Sequence, residues 1–336
     1  MATDDGLTTL ARAGMLGRSE AFRRLVADIR RLAVADVPVL LQGETGTGKE
    51  LVARAIHYLG ARRDGPFVPV DAGALPDTLF ERELFGHLRG AFTDARRDAQ
   101  GLIAQAERGT LFFDELHTLD KRSQAALLRF MQDHTYRPLG AQRLQHADVR
   151  IVAATNRRLD EGVAQGWFRE DLYYRVNVAT IDLPSLRERA EDIPMLAANF
   201  LERLCAHYRC GDRRFDAAFL AWMAQQRWPG NVRELENFVH REFLRSESRV
   251  LALDPGRASD AGARDDATCR PFKLARALAL TQFETGYLRA LLAATRGNVS
   301  EAARRAGKER RVFGRLLKKH NIARTDFTRT MSGDSR

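Results

Sequence analysis

Short apolar runs alternate with amphipathic stretches through the first half of the chain. Residues 37–41, Val37-Pro38-Val39-Leu40-Leu41, lead straight into Gly43 and read as a buried parallel strand feeding a glycine loop. Residues 67–70, 110–113 and 149–154 are three further apolar runs, the second ending on Asp114-Glu115. Between them, residues 50–59 and 123–133 have helical character. Strands alternating with helices predict an α/β fold with a parallel sheet covered on both faces. After Leu183-Pro184-Ser185-Leu186 the pattern changes: residues 193–246 read as helical, broken at Trp228-Pro229-Gly230, and form a small helical lid. Residues 254–270 are rich in Asp, Ala, Gly, Arg and Ser, lack apolar periodicity and read as a linker. A last helical unit runs over residues 273–322, and no internal repeat is visible. The domain division that follows is a tail 1–14, an α/β core 15–186, a lid 187–252, a linker 253–272, a helical domain 273–325 and a tail 326–336.

Composition changes this picture in two places. The hydrophobic content of 44% and charged content of 29% are ordinary for a globular chain, and no apolar run approaches the roughly 18 residues of a membrane span. The polar, acidic opening Met1-Ala2-Thr3-Asp4-Asp5 argues against a secretory signal. Cys205, Cys210 and Cys269 fit no zinc or redox spacing, and their odd number suits a reducing cytoplasm. The net charge of +10 is entirely local: residues 271–336 carry 15 Lys/Arg against 5 Asp/Glu, while the first 270 residues are balanced. Such asymmetry points to duplex DNA as a partner of the C-terminal unit, against the alternative of a solvated basic tail.

Gly43-Glu44-Thr45-Gly46-Thr47-Gly48-Lys49 lies between a strand and a helix, the context a phosphate-binding loop requires. Its glycines let backbone N–H groups turn inward around phosphates, and the helix N-terminus adds a favourable dipole. Lys49 is placed to meet the β- and γ-phosphates of ATP. The next position, where the general pattern has a Ser or Thr for Mg2+, is Glu50. Asp114 and Glu115 end an apolar strand; in P-loop ATPases the first such carboxylate holds magnesium and the second orients the attacking water. Near the C-terminus, residues 297–307 read as a capped helix ending in a Gly turn, and residues 309–320 as a second helix. Val312, Leu316 and Leu317 give that helix an apolar face; Arg310, Arg311, Arg315, Lys318 and Lys319 give it a basic one. Two short helices across a Gly-containing turn fit a helix-turn-helix whose second helix enters the major groove. Gly314 inside that helix costs about 1 kcal/mol relative to Ala.

Between the glycine loop and the acidic pair lies Gly90-Ala91-Phe92-Thr93-Asp94-Ala95, preceded by Glu83-Leu84-Phe85-Gly86-His87. With Asp94 in place of a Gly, it resembles the GAFTGA loop of bacterial enhancer-binding AAA+ activators, which grip sigma-54 RNA polymerase. The run GETGTGKE matches the same family, in which Glu is usual after the lysine. The resemblance covers residues 15–324 and implies an AAA+ P-loop αβα sandwich with a helical lid and a Fis-type helix-turn-helix domain. It implies that Asn156 is the sensor I residue, that Arg233 in Trp228-Pro229-Gly230-Asn231-Val232-Arg233 is the sensor II residue, and that Arg169 and Arg175 are arginine fingers acting on a neighbouring subunit's ATP. It places Asp71 where many members carry an Asn that restrains the water-orienting Glu. It makes Phe92, Thr93 and Asp94 the sigma-54 contact on a loop with an exposed aromatic, and it likens residues 136–140 to a second pore-side loop. The expected activity is ATP hydrolysis that converts closed sigma-54 polymerase complexes to open ones from upstream DNA, in a ring, by resemblance a hexamer. The chain opens almost at the ATPase domain, as the stand-alone members do, which implies control in trans, by a partner protein or by its own abundance. The alternative is an ATP-gated DNA-binding regulator that does not act through sigma-54, Asp94 having altered the contact.

Overall fold

The computed structural model of the chain describes residues 14–92, 95, 97–246, 248–253, 288, 291–292, 295, 298–308 and 310–319; the side chains of Asp77, Lys318 and Lys319 are also outside the description. The tails, and all of the linker 253–272 but its first residue, fall outside the described residues, apart from Gly14. The chain divides into two compact units, residues 1–253 and 254–336.

In the first unit, helix α1 (Glu20–Ala33) starts where the Ser19 hydroxyl accepts the Phe22 N–H at 3.2 Å, and buries Phe22, Leu25, Val26, Ile29 and Ala33 on one stripe. Five parallel strands follow: β1 (Val39–Gln42), β2 (Phe67–Asp71), β3 (Thr110–Asp114), β4 (Arg150–Thr155) and β5 (Ala179–Asp182). Their order across the sheet is β2-β3-β4-β1-β5. Alternation along the strands divides the core in two. Leu40, Leu111, Phe113, Ile151 and Ala153 join one buried cluster; Val39, Leu41, Phe112, Val152 and Ala154 join the other. Period-two side chains of a sheet buried on both faces must split this way, and helices cover each face. The fold is the expected three-layer sandwich. β5 and α1 were not among the expected elements. β5 alternates Ala179 and Ile181 with Thr180 and Asp182, so it has no continuous apolar run to announce it.

The register aligns the carboxyl ends of the strands. Asp71 is opposite Asp114, and Gln42 is opposite both Thr155 and Asp182. Helix α2 (Lys49–Leu59) leaves the glycine loop after β1; helix α3 (Asp77–Phe85) follows β2; and helix α4 (Lys121–Asp133) follows β3, capped by the Asp120 carboxylate on the Ser123 N–H at 2.7 Å. Between β4 and β5 are the short helices α5 (Leu159–Ala164) and α6 (Glu170–Val176). The lid consists of α7 (Ile193–Tyr208), α8 (Ala217–Ala224) and α9 (Asn231–Arg245) around a cluster that includes Phe200, Phe219, Met223, Trp228 and Phe243. It is broken at 209–216 as well as at the expected Trp-Pro-Gly turn, because Arg209 takes a left-handed cap and Asp216 starts a new helix.

In the second unit, Asn298 caps α10 (Val299–Arg305) by accepting the N–H groups of Ser300 and Glu301. Gly307 turns the chain into α11 (Arg310–Lys319). Leu288, Leu292, Ala302, Ala303, Phe313 and Leu317 form its core. The expected apolar face of α11 is therefore corrected: Phe313 is its fully buried anchor, and Val312 and Leu316 are only partly covered.

Candidate functional site

The glycine loop wraps from the end of β1 to α2, with Gly46 and Gly48 in the left-handed region. Gly46 has two reasons to lack a side chain. Its φ is 78°, and a Cβ there would be 2.3 Å from the Gly230 carbonyl oxygen of the lid. Lys49 is buried, and its ammonium donates to the carbonyls of Gly43 (2.9 Å) and Glu44 (3.1 Å). Burial pushes its pKa down; Asp114 and Glu115 pull it back up, and Arg233 adds to the depression. Lys49, the two carboxylates and the lid arginine therefore share one electrostatic neighbourhood.

Asp114 ends β3, and its Oδ1 accepts the Glu115 N–H at 2.9 Å. Burial pushes its carboxyl up, opposed by that N–H and by Lys49, with smaller upward pushes from Glu115 and Asp71. Glu115 holds a left-handed conformation, φ 52°, uncommon for a residue with a side chain. Such strain collects where the surroundings over-determine a side chain's direction. Asp71 does not confront Glu115 as a bare charge: its Oδ1 accepts the N–H groups of Gly73 (3.0 Å) and Ala74 (3.2 Å). Both carboxylates nevertheless reach the same spot, since a Cβ on Gly73 would be 2.9 Å from Glu115 Oε2 and 3.5 Å from Asp71 Oδ1.

Asn156 follows β4 and donates to the Thr45 hydroxyl at 3.0 Å, joining the strand end to the glycine loop. Thr47 Oγ1 donates to the Glu44 carbonyl at 2.8 Å. Glu50 is paired with Arg54 one turn along α2 at 2.7 Å. Its carboxylate thus has a partner away from the position a Ser or Thr hydroxyl takes in the general pattern. A crevice of about 260 Å³ opens between the ends of β1, β4 and β5, lined by Gly43, Glu44, Asn156 and Leu183 among others. Arg233, in the first turn of α9, has its Cβ 3.1 Å from a Cβ built on Gly46. Three residues to which the sequence patterns assigned no role also meet here. His117 Nδ1 is 3.3 Å from Thr155 Oγ1, Arg187 holds the Glu44 carboxylate, and Asn231 reaches the glycine loop.

Arg169 and Arg175 are outside this cluster. Arg169 forms a two-pronged pair with Asp171 (3.0 and 2.7 Å) and is half-buried. Arg175 donates to the Met131 carbonyl at 3.0 and 2.9 Å, closing the C-terminal end of α4.

The loop after α3 begins with a short antiparallel pair, Gly86–His87 with Ala99–Gln100. Within it the Gly90 N–H donates to the Ala95 carbonyl (2.9 Å) and the Ala95 N–H to the Phe92 carbonyl (3.0 Å). Thr93 and Asp94 are outside the described residues. The expectation of an exposed aromatic is corrected. Phe92 is half-buried, its ring centroid 4.8 Å from His87 and 5.5 Å from the Arg82 guanidinium carbon. The second loop is bonded to the first: the Leu88 N–H donates to the Leu139 carbonyl and the Leu139 N–H to the Gly86 carbonyl, each at 2.9 Å. In α11, Arg310, Arg311 and Arg315 are exposed, whereas Phe313 is buried.

Comparison with known proteins decides the family. The Sigma-54 interaction domain matches residues 15–182, the AAA+ ATPase lid domain residues 187–255, and the bacterial regulatory protein, Fis family, residues 279–320. The transcriptional regulatory protein GlrR of Escherichia coli is 41% identical over 333 residues, covering 97% of this chain and 74% of GlrR. This chain belongs to the sigma-54-dependent transcriptional regulators. The DNA-binding transcriptional regulator NtrC of Rhizobium meliloti is 48% identical over 227 residues, 68% of this chain and 47% of NtrC. Among solved structures, NtrX from Brucella abortus in complex with ATP aligns with a TM-score of 0.68 at 32% identity, over 92% of this chain and 69% of that one. The family's regulators carry a nucleotide-binding AAA+ domain and a helix-turn-helix DNA-binding domain, and this chain has both. Among the described residues no helix is long and apolar enough to cross a membrane.

Proposed function

We propose that this regulator hydrolyses ATP in a ring of subunits on upstream DNA and uses the cycle to remodel closed sigma-54 polymerase complexes into open ones. The observation that carries this reading is the convergence of Lys49, Asp114, Glu115 and Asn156 at the carboxyl edge of the sheet, beneath the lid arginine Arg233. Ligands of open α/β sheets bind at that edge. Lys49 would bind the β- and γ-phosphates, and Glu115 would orient the water that attacks the γ-phosphorus as the bond to the bridging oxygen breaks. The donor set fits Mg2+: one half-buried carboxylate, Asp114, next to the phosphate loop suits an ion that takes most of its remaining ligands from phosphate and water. Bound there, magnesium would neutralise charge on the phosphates. The Arg169 guanidinium, paired among the described residues with Asp171, suits a role in a neighbouring subunit's site.

Coupling to the polymerase has a physical route. The turn after Glu115 leads into α4, α4 into the second loop, and the second loop is hydrogen-bonded to the loop bearing Phe92. A change at the γ-phosphate can bias that chain of rigid elements. The test is an open-complex assay with purified sigma-54 polymerase and a hydrolysable nucleotide. Phe92→Ala is expected to keep ATPase activity within about twofold and to lose open-complex formation. A wild-type protein that hydrolyses ATP and binds DNA, yet never binds sigma-54 in any nucleotide state, would favour the regulator that works without it.

A further inference from the structure

The lid touches the phosphate loop through three residues that the nucleotide chemistry does not use. Asn231 is fully buried, at φ 53°, a left-handed conformation that Asn tolerates better than most. Its Oδ1 accepts the Leu186 N–H at 2.7 Å; its Nδ2 donates to Glu44 Oε2 at 3.1 Å and to the Thr45 carbonyl at 3.0 Å. Arg187 grips both oxygens of the same Glu44 carboxylate, with one contact at 2.8 Å. One residue further along α9, the Val232 N–H donates to the Gly46 carbonyl at 3.0 Å. Three successive loop residues, Glu44, Thr45 and Gly46, are thereby stitched to the segment that carries Arg233.

We propose that Glu44, Arg187 and Asn231 form a clasp that sets the angle of the lid on the phosphate loop, and that they are positioning residues acting through Arg233. This rests on the reading of Arg233 as a phosphate-facing lid residue. The clasp has the build of a mechanical joint. An exposed ion pair alone contributes little, but a two-pronged arginine–carboxylate contact completed by a buried amide has defined geometry. Both amide hydrogens are engaged within the joint, and the amide oxygen accepts the Leu186 N–H. Loosening any member lets α9 tilt, and Arg233 is only two residues beyond Asn231.

The experiment is a mutant cycle on the full chain, reading kcat, KM for ATP and melting temperature. Asn231 is buried and its loss could unfold the lid, so half-exposed Arg187 carries the test. Arg187→Ala is expected to lower kcat roughly three- to tenfold with a smaller change in KM. Arg233→Ala is expected to lower kcat at least as much, and the double variant to match Arg233→Ala within about twofold. Glu44→Gln combined with Arg187→Ala should likewise be no worse than either alone. Multiplying losses in Arg187→Ala/Arg233→Ala would overturn the clasp while leaving the lid arginine in place, as would an unchanged kcat in Arg187→Ala. A wild-type rate in Arg233→Ala alone would overturn the reading of that arginine and the clasp with it.

Discussion

At the scale of single residues, the nucleotide site holds the Asp114 carboxylate at a cost in stability. Burial pushes the Asp114 carboxyl up, so the folded chain takes up that proton more readily than the unfolded chain. The sign follows by linkage: this contribution to stability is present below the unfolded pKa and is lost as pH rises through the raised folded value. At neutral pH the ionised carboxylate therefore destabilises the nucleotide-free protein. Asp114→Asn is expected to raise the melting temperature by about 1–3 °C at pH 7.5, with the gain shrinking in acid, while Mg-ATP turnover is lost. Calorimetry across pH checks it, and a lower melting temperature at neutral pH would contradict it. Glu115→Ala belongs beside it. That variant should still bind ATP and turn it over slowly, because the role proposed for Glu115 is on the water and not on the phosphates; equilibrium binding of a fluorescent ATP analogue separates the two effects.

At the scale of elements, the two finger candidates differ. Arg175 closes the C-terminal end of α4 through the Met131 carbonyl, whereas the Arg169 guanidinium is paired, among the described residues, with the neighbouring Asp171. Arg175→Ala should therefore cost about 0.5–1 kcal/mol of stability, the scale of a cation at a helix C-terminus, and Arg169→Ala much less. Urea titration of both variants gives the difference, and Arg169 is the cleaner probe of action across a subunit boundary. In the DNA-binding unit, a Cβ on Gly314 would meet nothing within 4 Å. Gly314→Ala is thus expected to stabilise α11 by about 1 kcal/mol. If the same variant weakens DNA binding, Gly314 serves a close approach of the backbone to DNA; unchanged affinity would make it a plain helix weakness.

At the scale of the whole molecule, assembly and DNA binding are the properties to measure. A shared site makes specific ATPase activity rise with protein concentration, and mixing Arg169→Ala with Lys49→Ala subunits should restore part of it. Full activity in a monomer would exclude a shared site. The positive excess of residues 271–336 should make DNA affinity fall steeply with salt, as released counterions require. Arg311→Ala or Arg315→Ala should weaken binding and flatten that slope by about one unit each if they contact phosphate.

The sequence by itself determined the kind of protein and the positions of its local motifs. The glycine loop, the acidic pair after β3 and the helix-turn-helix are contiguous patterns, and local patterns survive without a fold to read them in. The family resemblance rested on such patterns too, and the comparisons bear it out. What only the tertiary structure decided depends on residues far apart in the chain. The pairing of Asp71 with Asp114, the Glu44–Arg187 contact and the seat of Asn231 on the glycine loop are set by sheet register and lid docking. No spacing in the chain announces them. β5 and the burial of Phe92 belong to the same class. A short edge strand and a loop aromatic owe their state to the neighbours they pack against, not to their own run of residues. Phe313 was missed for a plainer reason. It is embedded among arginines in the sequence, and only the packing of α10 against α11 shows that it faces inward.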